Sequence, residues 1–173
     1  MACTSHDNYW EDFAVGTRYE HARGRTVSNE DNLAITHQTL NTAQAHFNLD
    51  FLSGLMDGAF EERLVMGAVN LAIIIGLTTE DMSENAIADV GMTEIRLTNP
   101  VYREDTLYAS SEVVDVREST REDAGLMTYR FTGRKADGTE VATGLRTVML
   151  KKRSHWAEAD GNAAGGELDA ISA

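Results

Sequence analysis

The chain has 173 residues, 42% of them hydrophobic, so its length and composition allow one domain with a real core. Twenty-eight acidic residues against 15 basic ones give a formal net charge of −13, which excludes a nucleic-acid binder, because no basic stripe is available to replace phosphate counterions. The single cysteine, Cys3, excludes an internal disulfide framework and a cysteine-rich metal site.

No apolar run reaches transmembrane length, and none follows a basic N-terminal segment as a secretory signal would, so a cytoplasmic protein without membrane partners is expected. Only Lys135, Lys151 and Lys152 are lysines. An acid-rich, lysine-poor surface suits a cytoplasm of high salt, where self-repulsion is screened, and equally an acidic proteome that prefers arginine.

In chain order, residues 1–8 read as a polar, flexible leader. Tyr9, Trp10 and Phe13 then anchor a segment that ends in a turn at Gly16. Residues 18–27 suit an edge strand, and Ser28 with Asp31 three residues on marks the N-cap of a helix reaching about Gln38. Residues 39–60 keep no period and carry Ser53-Gly54 and Asp57-Gly58, so an irregular, function-bearing loop with short helical turns is expected.

Residues 64–77 are apolar on nearly every side, interrupted by Gly67, Asn70 and Gly76. A surface helix would show a polar face, so this segment predicts a wholly buried helix. Its N-terminus would aim unpaired N–H groups at whatever sits there, and Gly67 would let a ligand come close to that backbone. Asn70 needs a hydrogen-bond partner wherever the helix is buried.

Four strand-like segments follow, over 86–97, 106–117, 125–134 and 139–151, with Asn99-Pro100 and Asp137-Gly138 as turns. From Ser154 the composition turns to Ala, Gly, Asp and Glu, which predicts a disordered acidic tail over 154–173. One early apolar helix and then several antiparallel strands is an α+β pattern, most simply a sheet curled around the helix. His21, His37 and His155 have no spacing that gathers metal ligands, and the glycines form no phosphate loop.

The run from Tyr9 to Gly16, the loop from Thr39 to Phe47, Arg63-Leu64-Val65-Met66-Gly67, and Asn99-Pro100-Val101-Tyr102 with Asp105-Thr106-Leu107-Tyr108 together resemble the MaoC-like hydratase family, over residues 9–153. Thr36-His37-Gln38-Thr39-Leu40-Asn41-Thr42 and Ser83-Glu84-Asn85-Ala86 are most similar to the mesaconyl-CoA hydratase (β-methylmalyl-CoA dehydratase) type. The resemblance implies a hotdog fold, an acyl-CoA substrate, no separate cofactor, and a homodimer or an assembly of dimers with the site at the subunit interface.

The family's motif, Asp, any residue, Asn, Pro, Leu or Ile, then His, falls on Asn41, Thr42, Ala43, Gln44, Ala45 and His46, where only the histidine is kept. The family's aspartate shares the catalytic water, and an amide cannot take a proton from it. Asparagine here is also the pattern of the mesaconyl-type subgroup. The resemblance implies His46 as acid/base, Asn41 orienting water, Gly67 N–H as oxyanion donor, and Arg63 and Thr42 as substrate contacts.

Three classes stay open. One is a hydro-lyase of a short branched enoyl-CoA such as mesaconyl-CoA. The second is a hotdog thioesterase, with Asp57 or Glu61 activating water. The third is a non-catalytic acyl-CoA-binding subunit, the reading that Asn41 favours.

Overall fold

The computed structural model describes residues 8–166; the side chains of Met56 and of residues 160–166 are left undescribed. Strands β1 (Arg18–Thr26), β2 (Ala86–Leu97), β3 (Thr106–Glu118), β4 (Ala124–Lys135) and β5 (Glu140–Lys151) form one antiparallel sheet of order β1-β3-β4-β5-β2. Helix α1 is Asn29–Gln38, α2 is Leu49–Leu52, α3 is Gly67–Met82, and α4 is Arg153–Gly166.

Local chemistry explains the element boundaries. Ser28 caps α1 through a reciprocal box, its hydroxyl accepting from Asp31 N–H while Asp31 Oδ2 accepts from Ser28 N–H at 2.8 Å. The β4–β5 hairpin turns at Gly138, whose φ of +87° is open to glycine without strain. Residues 39–60 break into short turns around α2, as their lack of period predicts.

Helix α3 lies on one face of the sheet, over Leu107, Ala109 and Val113 of β3, Met127, Tyr129 and Phe131 of β4, and Val148 and Leu150 of β5. Close approach is possible because Gly133 has no side chain: a Cβ there would stand 2.2 Å from Ile74 Cδ1. At the far end of the helix, Tyr129 hydroxyl is 3.0 Å from Thr78 Oγ1, and Arg146 donates to Tyr129 hydroxyl, Ser83 Oγ and Asp89. Burial pushes the Tyr129 phenol above its ordinary value, so it stays a neutral donor and acceptor in this network.

Two expectations change. The apolar helix is not wholly buried, because one five-stranded sheet covers only one side of it. Val69, Asn70, Ile74 and Thr78 face inward, while Ala68, Ala72 and Gly76 are exposed. Nor is the tail unstructured where it is described. Residues from Arg153 continue as α4, and the Trp156 indole N–H donates to Asp123 O at 3.1 Å under a cation–π contact from Lys151. One aromatic residue thus docks a segment whose average composition reads as disordered.

The leader expected over 1–8 lies outside the described residues except for Asn8, which is buried and donates to Glu80 O at 2.8 Å. Among the described residues no helix is long and apolar enough to cross a membrane.

Candidate active site

His46 sits at the end of a single 3-10 turn, Gln44–His46. Its Nδ1 lies 2.9 Å from the Leu64 carbonyl oxygen. A carbonyl only accepts, so Nδ1 carries the proton and Nε2 keeps the free lone pair. That tautomer is the one a general base requires.

The α3 N-terminus is close by. Met66, its N-cap, supplies no side-chain cap, and the first helical bonds to the Met66 carbonyl come from Val69 and Asn70. The Gly67 and Ala68 N–H groups precede them and, by helix geometry, have no intrahelical acceptor. Gly67 is bare on the side facing β2: a Cβ there would stand 2.2 Å from Leu97 Cδ1. Leu97 is 53% exposed, so the group covering this glycine is a solvent-facing side chain at the end of β2.

His46, Leu64, Val65, Gly67, Asn70 and the residues from Leu97 to Val101 line one cleft of about 320 Å³. Its walls are apolar apart from His46, Asn70, Thr98 and Asn99. The turn side is fixed by Thr98 Oγ1 and Asn99 Nδ2, each donating to Glu140 O at 2.8 Å, and by Val65 N–H donating to Val101 O at 2.9 Å.

Asn32 ties these parts together, and the sequence reading passed over it. It is buried on α1; its Nδ2 donates to His46 O at 2.8 Å and its Oδ1 accepts from Met66 N–H at 2.9 Å. One side chain therefore holds the histidine loop and the helix start in register. A lone asparagine one turn into a capped helix gives no sequence signal of that task.

The other expected residues stand elsewhere. Asn41 Oδ1 accepts from Ala43 N–H at 2.9 Å and its Nδ2 donates to Met66 Sδ at 3.0 Å, so the amide ties its loop to the α3 N-cap without lining the cleft. Thr42 is exposed and outside the cleft lining. Arg63 donates to Asn29 Oδ1 at 3.0 Å and lines a neighbouring cavity with Glu61, Glu62 and Arg103. The two cavities share only the wall at Val65. Asp57 is exposed at a φ of +56°, and neither it nor Glu61 lines the His46 cleft.

A five-stranded antiparallel sheet of this order, packed on a central helix with the His46 loop at the helix N-terminus, defines a hotdog domain of the MaoC-like hydratase/dehydratase class. The chain belongs to the mesaconyl-CoA hydratase family, whose profile matches residues 2–172. It is 30% identical over 153 residues to the mesaconyl-CoA hydratase of Cereibacter sphaeroides, covering 87% of this chain and 43% of that protein. It is 31% identical over 130 residues to the beta-methylmalyl-CoA dehydratase of Chloroflexus aurantiacus, covering 74% of this chain and 36% of that protein.

Among solved structures, a MaoC domain protein dehydratase from Chloroflexus aurantiacus superposes with a TM-score of 0.77 at 27% identity, over 85% of this chain and 45% of that one. A monoamine oxidase regulatory protein from Archaeoglobus superposes with a TM-score of 0.73 at 25% identity, over 88% and 98%. The chain therefore spans less than half the length of the curated relatives it matches.

Proposed function

We propose that this chain is a hydro-lyase that adds water across, or removes it from, the double bond of a short branched enoyl-CoA such as mesaconyl-CoA. The observation that carries the reading is the His46 Nδ1–H bond to Leu64 O, which leaves Nε2 as the base in the cleft that also holds the uncapped start of α3.

The steps follow from those groups. The thioester carbonyl accepts from the Gly67 N–H, whose position at a helix N-terminus favours the negative charge of an enolate. His46 Nε2 takes one proton from water as the water oxygen bonds to the β-carbon, and the double-bond electrons move to the α-carbon and carbonyl oxygen. The imidazolium then returns the proton to the α-carbon, so H and OH are added and the base is regenerated. Coenzyme A acts only as part of the substrate.

The thioesterase alternative has weaker support, because no carboxylate lines the cleft among the described residues. The test is to incubate the protein with mesaconyl-CoA and follow loss of the enoyl absorbance beside release of free thiol. Hydration without free CoA supports the hydro-lyase; release of CoA supports the thioesterase.

Assembly is part of the same proposal. The β2 edge carries the exposed apolar residues Val90, Ile95 and Leu97, and α3 exposes Ala68, Ala72 and Gly76 beside the sheet. A second copy placed against this edge would cover both and complete the cleft wall at Leu97, giving a homodimer or an assembly of dimers. That the curated relatives are more than twice as long as the matched region agrees with a second unit being needed.

A further inference from the structure

The Asn70 side chain lines the cleft, is 4% exposed, and keeps its Oδ1 buried with no donor from the described residues. Buried polar atoms are nearly always paired, and leaving one unpaired costs stability. Asn70 stands three residues after Gly67 on α3, so the two lie on one face of the helix. An unpaired amide on that face, in an otherwise largely apolar cleft, calls for a polar group from outside the chain.

The hydro-lyase reading supplies such a group. An attacking water has two protons to place. His46 Nε2 takes one, and the other needs a fixed acceptor that holds the water's lone pair toward the β-carbon. Asn41 is absent from the cleft lining, and its amide is bonded to Ala43 N–H and Met66 Sδ. Among the residues that line the cleft, the Thr98 hydroxyl and the Asn99 amide nitrogen donate to Glu140 O at the turn. Asn70 Oδ1 is the buried side-chain acceptor of this cleft that has no donor among the described residues.

We propose that Asn70 Oδ1 holds the reacting water opposite His46, the place that the family motif would give to a carboxylate at position 41. The inference rests on the hydro-lyase reading. The oxygen is buried at the cleft wall. A turn about χ2, which is soft for asparagine, presents the oxygen to the cleft and places the amide nitrogen in the inner position. The step itself is unchanged: the proton facing His46 leaves with the imidazole, and the proton on Asn70 stays on the new hydroxyl.

The test compares Asn70→Leu and Asn70→Asp with the wild-type 173-residue chain, on mesaconyl-CoA and on crotonyl-CoA. Leucine removes the acceptor at nearly constant volume. It should lower kcat ~10²-fold or more on whichever thioesters the wild type hydrates, with KM little changed and the melting temperature unchanged or raised. Aspartate keeps an acceptor oxygen and should retain turnover within about tenfold of wild type, while adding an acid-side ionisation to the pH profile.

Four results overturn the proposal. A wild-type kcat in Asn70→Leu removes any role in the reaction. A rise in KM confined to one thioester makes Asn70 a reader of the acyl group instead. A fall in melting temperature that accompanies the lost activity makes it a structural strut. A wild-type protein that hydrates neither thioester removes the hydro-lyase reading itself, and this inference with it.

Discussion

The Asn32 side chain donates to the His46 backbone carbonyl at 2.8 Å, across 14 residues of sequence. Its other end accepts from Met66 N–H at 2.9 Å, one residue before the α3 N-terminus. His46 and Gly67, the proposed base and oxyanion donor, sit on separate segments that share this single buried amide. Asn32→Ala is expected to cost about 1–3 kcal/mol of stability, since it leaves the buried Met66 N–H unpaired. Turnover should fall ~10–10²-fold because a small displacement of the histidine spoils the attack geometry. Urea unfolding and steady-state kinetics on one preparation check both; loss of stability with unchanged turnover would confine Asn32 to a structural role.

How much of this was legible follows the range of each signal. The capping box at Ser28 and Asp31, the strand segments and the Gly138 turn are local chemistry, and each stands within a few residues of where the sequence puts it. The exposed face of α3 was not legible, because Ala68, Ala72 and Gly76 are small enough to read as core. His46 was visible through the motif at 41–46. Asn32 was not, and Asn70 was visible only as a buried amide needing a partner, since the bonds each one makes or lacks depend on which segments meet in space.

His21 and Asp81 form a second buried unit, away from the cleft. His21 Nδ1 is 2.6 Å from Asp81 Oδ2 and Nε2 is 2.9 Å from Ser111 Oγ, linking β1 to the last turn of α3 and to β3. Removing one member of a buried pair strands the other. Asp81→Ala should therefore destabilise the fold by ~1–3 kcal/mol, since the buried His21 Nδ1 loses its partner. Denaturant midpoints check this, and a change under about 1 kcal/mol would show that the pair contributes little to stability.

Stability should also depend on pH through Asp31. Its hydrogen bond from Arg25, with further bonds from Ser28, holds the carboxyl below its ordinary value. A depressed carboxyl contributes stability that is fully present above its unfolded value, near 3.9, and is lost as pH falls through the folded value. Asp31→Asn should thus be less stable than wild type at neutral pH, with the gap narrowing below about pH 4. A gap that stays constant down to pH 2.5 would show no linkage at this residue.

The exposed β2 edge makes a prediction about mass. Multi-angle light scattering at micromolar concentration should return at least twice the 19.0 kDa chain mass. Replacing Ile95, 42% exposed, by Lys should shift the population toward monomer and lower turnover with it. A stable wild-type monomer that is fully active would exclude an interface role for this edge.

The central claim is that His46 carries the proton. His46→Ala, measured on mesaconyl-CoA beside wild type, should lower kcat ~10²-fold or more. The variant should keep the wild-type circular dichroism and assembly, because the His46 backbone carbonyl that Asn32 holds is still present. A His46→Ala protein that hydrates mesaconyl-CoA at the wild-type rate would contradict the account and place the chemistry outside this cleft.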